Sequence, residues 1–277
     1  MKTIKLTKMQ GCGNDFVIID YDEFLKTDLD MSELAKKVCD RNFGVGADGM
    51  IIPNLNPKQG DIGWYFYNSD GTTAQMCGNG IRCFAKYVFD KKLVNKKQFS
   101  VETLAGIIKP ELLDDGNVKV DMGKPILEYE KIPFKGEKNL VAKDKEFEIT
   151  PISMGNPHCV IFVNENPLDY AKEYGPIIEK HEYFPEKTNT EFVRVISKNE
   201  IDMCVFERGC GITLACGTGA CASLVACVLN NLTENKVKVN LLGGAVFIEW
   251  QGSKDNLEQN IFMTGPANYS FFADYIL

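Results

Sequence analysis

The run Trp64-Tyr65-Phe66-Tyr67-Asn68-Ser69-Asp70-Gly71 leads through Cys77-Gly78-Asn79-Gly80 to Ala85. It lies without a gap over Met203 to Leu224, where Cys216-Gly217-Thr218-Gly219 repeats the glycine-flanked cysteine 139 residues on. Three further blocks repeat in the same order. Gly13-Asn14-Asp15-Phe16 answers Gly155-Asn156-Pro157-His158. Val101-Glu102-Thr103-Leu104-Ala105-Gly106 answers Val239-Asn240-Leu241-Leu242-Gly243-Gly244, and Met122 answers Met263, with Gly and Pro close behind each. Four ordered blocks at about half the chain length predict two domains of one topology and argue against a many-repeat solenoid.

Around these blocks the chain is rich in short β-type runs: Phe16 to Asp20, Gly63 to Tyr67, Val118 to Met122, Cys159 to Val163, Ile201 to Phe206, Val237 to Leu242, Val246 to Trp250 and Ile261 to Thr264. Helical signals are fewer. After Cys77, the apolar residues Ile81, Phe84, Ala85 and Val88 recur at helical spacing and predict one buried face. After Cys216, Ala220 to Leu229 is apolar almost all round, which predicts an enclosed helix. Shorter helices are predicted at Ser32 to Cys39, with Ser32 as N-cap, and at Leu168 to His181, with a break near Gly175-Pro176. The Lys-, Glu- and Pro-rich stretch from Met122 to Glu148 reads as the crossover between halves. The expected division is 1–121 for the first half and 122–265 for the second. The aromatic tail 266–277, bearing Tyr269, Phe271, Phe272, Tyr275 and Ile276, is expected to pack instead of dangling.

Composition narrows the function classes. With 277 residues, 44% hydrophobic and 25% charged, the chain has room for two ordinary cores. A net charge of −7 argues against non-specific nucleic-acid binding, which wants a basic face. No run approaches the roughly 20 apolar residues of a membrane span, and Met1 to Gln10 is not a secretory leader, so the expected address is the cytoplasm. Ten cysteines in that setting read as reduced thiols, and none are spaced C-x-x-C, which leaves little support for zinc or a redox pair. Gly44-Val45-Gly46-Ala47-Asp48-Gly49 matches a dinucleotide fingerprint formally. It is rejected because the strand-like Met50-Ile51-Ile52-Pro53 follows it where a helix is required.

Most cysteines in such a chain are small buried hydrophobes, and Cys39, Cys159, Cys204, Cys221 and Cys227 fit that description. Cys77 and Cys216 differ in being duplicated and glycine-flanked at two helix starts. There the helix dipole and free N–H groups are expected to lower a thiol's pKa toward the working range. The same N–H groups suit a carboxylate. If both starts face one cleft, one carbon can meet a thiol on each side, which is what a two-base racemase or epimerase requires. Of two histidines, His158 shares a repeated loop with Asn156, whereas His181 sits among charges. Glu207-Arg208 precedes Cys216 in the register where Asn68-Ser69 precedes Cys77, so Glu207 is expected to tune a thiol and Arg208 to grip an anion.

Taken together these motifs resemble the diaminopimelate epimerase family. The carriers are Gly13-Asn14-Asp15-Phe16, Gly44-Val45-Gly46-Ala47-Asp48, Asn68-Ser69-Asp70-Gly71, Cys77-Gly78-Asn79-Gly80 with Arg82-Cys83, and Ser153-Met154-Gly155-Asn156-Pro157-His158-Cys159. Glu207-Arg208-Gly209, Ala215-Cys216-Gly217-Thr218-Gly219-Ala220 and Met263-Thr264-Gly265-Pro266-Ala267 complete the set. The resemblance implies an α+β fold of two pseudo-symmetric domains, each a rolled sheet around a central helix, with the active site in the cleft between them and the tail returning to the first. It implies epimerisation of LL-2,6-diaminopimelate to the meso isomer in lysine and peptidoglycan-precursor synthesis, without cofactor or metal, by a homodimer. By resemblance Cys77 and Cys216 are the acid/base pair, assisted by His158 and Glu207. Asn14, Asn68, Asn156, Asn189 and Arg208 touch substrate, and Gly78-Asn79 and Gly217-Thr218 hold the reacting carboxylate.

Three residues depart from the family pattern. Gly49 stands where many members carry a substrate-touching glutamine, Ile212 replaces a commonly acidic residue, and Phe271 stands where some members have a dimer-contact tyrosine. A related two-thiol racemase acting on proline, hydroxyproline or histidine is the alternative enzyme, and a non-catalytic ligand-binding or thiol-sensing protein the alternative class.

Overall fold

The computed structural model describes residues 2–277, and its backbone divides into two units, Met1–Val120 with Gly265–Leu277, and Asp121–Thr264. In the first, the strands Thr3–Gly11, Asn14–Ile18, Gly49–Asn54, Ile62–Asn68, Val101–Thr103 and Gly106–Ile108 lie side by side in chain order. Their pairings alternate antiparallel, parallel, antiparallel, parallel, antiparallel. Each parallel step demands a crossover, and a helix supplies it: Met31–Cys39 for the first and Gly78–Asp90 for the second.

The second unit repeats this wiring. Lys145–Ser153, Pro157–Phe162, Asn189–Ser197, Glu200–Glu207, Lys236–Leu241 and Gly244–Trp250 pair in the same alternation. Helices Pro167–Ile178 and Gly217–Leu229 make its two crossovers. Both repeated cysteines therefore stand at the start of the second crossover helix of their unit. All eight β-runs read from sequence are strands here, displaced by no more than two residues at either end. Met50-Ile51-Ile52-Pro53 lies in strand Gly49–Asn54, in agreement with the rejected dinucleotide motif.

The central helices are wrapped. Gly217–Leu229 is buried from Gly219 to Cys227, as its apolar sequence requires. Gly78–Asp90 is buried further round than its one apolar stripe predicts, because Arg82 is fully enclosed. Its guanidinium donates to the Gly78 and Pro266 carbonyls at 3.1 Å each, so a charged side chain is accommodated by backbone acceptors.

Two helix details correct the sequence reading. Asp30, not Ser32, caps Met31–Cys39 by accepting from Glu33 N at 2.8 Å, while Ser32 donates to the Gly71 carbonyl. Helix Pro167–Ile178 does not break at Gly175-Pro176. Gly175 is there for close packing, since a Cβ would stand 2.6 Å from Phe206, and the bond from Glu179 N to its carbonyl carries the helix past the proline.

The stretch from 122 to 148 is more than a connector. Ile132, Phe134, Leu140, Ala142 and Phe147 enter the second unit's outer core with Ile161, Ile178 and Phe192. The tail forms strand Asn268–Ile276, laid antiparallel on Thr3–Gly11. Tyr275 and Ala273 turn toward the core, whereas Phe271, Phe272 and Ile276 stay exposed at 45%, 69% and 60%. Among the described residues no helix is long and apolar enough to cross a membrane.

Candidate active site

Each cysteine is the N-cap of its helix. Cys77 is extended (φ −141°, ψ 121°) and its Sγ accepts from Gly80 N at 3.5 Å, while Cys216 (φ −122°, ψ 109°) accepts from Gly219 N at 3.4 Å. Sulfur takes the place usually held by a hydroxyl or carboxylate oxygen and meets one of the helix's orphan donors.

In the first unit Asn14 leans on this cap. Its Oδ1 is 3.4 Å from Cys77 Sγ and 3.3 Å from Asn79 Nδ2. Gly13 precedes it at φ +81°, a conformation glycine adopts without strain. Asn14 is held in turn by Asp48, which accepts from its Nδ2 at 2.5 Å, and Arg41 bridges Asp48 and Asp15. The buried Lys8 closes the network on Asp15 at 2.6 Å. Burial would raise the Asp15 carboxyl, but the hydrogen bonds from Arg41 and Lys8 outweigh it and leave it below the ordinary range. Asn68 ends its strand opposite Gly49, with its amide donating to Thr72 Oγ1 at 2.9 Å.

In the second unit the equivalent loop, with Gly155 at φ +91°, presents Asn156 to the second cap. Its Nδ2 lies 3.4 Å from Thr218 Oγ1, which is 3.5 Å from Cys216 Sγ. Its Oδ1 is 3.0 Å from Nε2 of the fully buried His158, whose Nδ1 is 2.7 Å from Glu191 Oε1. Glu207 accepts from Thr213 Oγ1. Asn189 clamps two backbone points, donating to the Pro157 carbonyl at 2.9 Å and accepting from Arg208 N at 3.0 Å. Arg208 is exposed, with Nη1 donating to the Glu186 carbonyl, and Gly209 N is held by the buried Glu179 carboxyl.

The expectation that a helix start lowers the thiol's pKa fails at Cys216. Burial first, then the charges of Glu207 and Glu191, push this thiol well above its ordinary value, against smaller help from Thr218 and Gly219 N. Magnitudes explain the outcome. A helix terminus contributes about 0.3–1 kcal/mol, less than one pK unit, while full burial shifts a group by up to about 3–5 units.

Sequence reading named residues that the structure gathers in two places, Asn14, Asn79 and Cys77 in one and Asn156, His158, Thr218 and Cys216 in the other. It missed Glu191, a carboxyl that also acts on Cys216, so Glu207 is not alone beside the thiol. Its signal was present as one acidic residue within Asn189-Thr190-Glu191-Phe192-Val193, a run buried throughout. Also missed was the ionic support of Asn14, because Lys8, Asp15, Arg41 and Asp48 are scattered along the chain. At Gly49 a side chain has no room, since a Cβ would stand 2.7 Å from the Phe66 ring. Ile212 packs against the outer core of its unit.

Comparison with known proteins finds relatives over nearly the whole chain. The family model described as diaminopimelate epimerase matches residues 6–128 and 150–270. A diaminopimelate epimerase of Desulfitobacterium hafniense is 50% identical, over 97% of this chain and 96% of that protein. One from Carboxydothermus hydrogenoformans is 46% identical over 99% and 100%. Among solved structures, a hydroxyproline epimerase from Agrobacterium vitis superposes with a TM-score of 0.70 at 13% identity, covering 99% of this chain and 93% of its own. A Bacillus anthracis protein of the PhzF family gives a TM-score of 0.70 at 17%, covering both chains fully. At such identities the last two speak to fold alone.

Proposed function

The chain belongs to the diaminopimelate epimerase family, and on that premise we propose that it inverts one α-carbon of LL-2,6-diaminopimelate by proton transfer between Cys77 and Cys216. One cysteine, as thiolate, takes the α-proton while the other, as thiol, returns a proton to the opposite face. The observation that carries this reading is the paired N-caps, each a thiol at a helix start with a polar side chain beside it. In the resting protein burial and the charges of two carboxyls favour the protonated thiol at Cys216.

The reacting carboxylate rests on the N–H groups at Gly78-Asn79 and Gly217-Thr218, whose dipoles stabilise charge as the carbanion forms. Asn14, Asn68, Asn156 and Asn189 with Arg208 hold the polar ends of the substrate, His158 orients Asn156, and Glu207 tunes Cys216. The thiols supply both proton donor and acceptor, so the scheme uses no cofactor. The product feeds lysine and peptidoglycan-precursor synthesis. A homodimer is part of the proposal, because Phe271, Phe272 and Ile276 leave an apolar edge strand uncovered. A solution mass of one 31.0 kDa chain would refute it.

The test is incubation of reduced protein with LL-diaminopimelate in deuterated water. Deuterium is expected at the α-carbon together with the meso isomer, and Cys77→Ser and Cys216→Ser are each expected to slow inversion by at least roughly a hundredfold. No exchange by the reduced protein sinks the enzyme reading, and turnover of proline or histidine alone sinks the substrate.

A further inference from the structure

Glu191 enters the scheme above only through its charge, yet it is the most completely enclosed carboxyl near either thiol. Its residue is 0% exposed, and among the described residues its Oε2 has no hydrogen-bond partner. Such a group is costly to keep, so its retention calls for a use. Its other oxygen, Oε1, touches His158 Nδ1 at 2.7 Å and stands 2.7 Å from the point where a Cβ on Gly219 would lie. Cys216 Sγ is 3.3 Å from that same point, so sulfur and carboxyl oxygen are no more than about 6 Å apart across the glycine.

A second route joins them through side chains. It runs from Glu191 Oε1 to His158 Nδ1, from His158 Nε2 to Asn156 Oδ1 at 3.0 Å, from Asn156 Nδ2 to Thr218 Oγ1 at 3.4 Å, and on to Cys216 Sγ at 3.5 Å. Both ring nitrogens face oxygens. Asn156 Oδ1 can only accept, so the nitrogen it faces, Nε2, carries the hydrogen, and Asn156 turns its Nδ2 to Thr218.

We propose that Glu191 is a positioning residue for the second half-site, fixing the tautomer of His158, and through it the amide of Asn156, while placing a carboxyl across Gly219 from Cys216. The groups facing that sulfur are Glu207 from strand Glu200–Glu207, Glu191 from strand Asn189–Ser197 with His158 bonded behind it, and the Thr218 hydroxyl and Gly219 N–H of the helix. The two carboxyls act in the same sense, favouring the protonated thiol. The inference rests on Cys216 being one of the two proton carriers.

The experiment follows alkylation of Cys216 by iodoacetamide against pH, read by peptide mass in wild type and Glu191→Gln, beside steady-state kinetics. Removing the carboxyl is expected to lower the alkylation midpoint by about one pH unit and kcat by roughly tenfold, with KM within twofold. An unmoved midpoint overturns the proposal, whatever happens to turnover. A readout that needs no variant is the ¹⁵N spectrum of the two histidines, in which His158 Nε2 is expected to carry the hydrogen that faces Asn156 Oδ1. A bare Nε2 overturns the proposal even if Glu191→Gln fails to fold. Full activity in Cys216→Ser would instead remove the reading on which it rests.

Discussion

The two helix starts share a backbone and differ in what lies behind it. At the first, Phe16 and Gly49 pair across parallel strands, with Ile51 two residues further on. At the second the same positions hold His158, Asn189 and Glu191. The first cap is thus backed by hydrocarbon, with Phe16 against Gly80 and edge-on to Phe66, and Asn14, at the start of its strand, meets it as a polar contact. The second is backed by a buried acid and imidazole. Cys77 remains half-buried and Cys216 is 7% exposed. Cap geometry places a sulfur, but burial and neighbouring charge decide whether it holds a proton. Duplication alone would have left two thiols in like surroundings, and divergence behind the caps leaves Cys216 the more deeply buried, with two carboxyls acting on it.

The contrast breaks most sharply at Glu207. Glu207→Gln is expected to lower kcat/KM by roughly a hundredfold, and the pH profile gives the sign. A carboxylate beside a thiol disfavours thiolate, so its loss lowers the Cys216 pKa and moves the alkaline limb to lower pH by about one unit. In the unaltered protein that limb should lie above pH 9, because Cys216 is held above its ordinary value. The limbs belong to the coupled pair, so both reaction directions share them. An alkaline limb near pH 8 in the parent would erase the asymmetry.

A smaller effect tests the packing. Gly219→Ala would set a Cβ 2.7 Å from Glu191 Oε1, and that oxygen cannot retreat without leaving His158, so a loss of about 1–3 kcal/mol is expected by thermal or urea unfolding. Gly80→Ala meets only ordinary contacts at 3.4 Å with Cys77 and Phe16, and should stay within about 0.5 kcal/mol of the parent. Equal losses would show that the two caps are backed alike. The smallest effect is expected at Asp48→Asn, which weakens the anchor of Asn14 without touching Cys77. It should raise KM roughly threefold and leave the pH limbs in place, as measured by initial rates across pH.

Much of this was legible in sequence because it is local. The repeat, the strand runs, the two central helices and the loops of Asn14 and Asn156 follow from spacing and residue type. What escaped depends on residues meeting from afar. Asp30 outcompeted Ser32 as a cap because Ser32 is engaged by Gly71, 39 residues on. Gly175 read as a breaker because Phe206, which needs its missing side chain, lies 31 positions later. The Cys216 thiol was misjudged for the same reason. Its dipole is written in the local sequence, while its burial and the Glu191 carboxyl arrive through the sheet.

The strand Asn268–Ile276 has a consequence for how the protein comes into being. It is synthesised after Asp121–Thr264, and it pairs with Thr3–Gly11, which is made before that unit. The first unit therefore lacks this edge until the strand has been made, whereas Asp121–Thr264 is continuous and can close beforehand. The first unit completes its sheet after the second, through the most sequence-distant strand pairing among the described residues, the kind that loop closure makes slowest. A nascent chain stalled near residue 265 should accordingly hold a protected second unit and an exchange-labile first one.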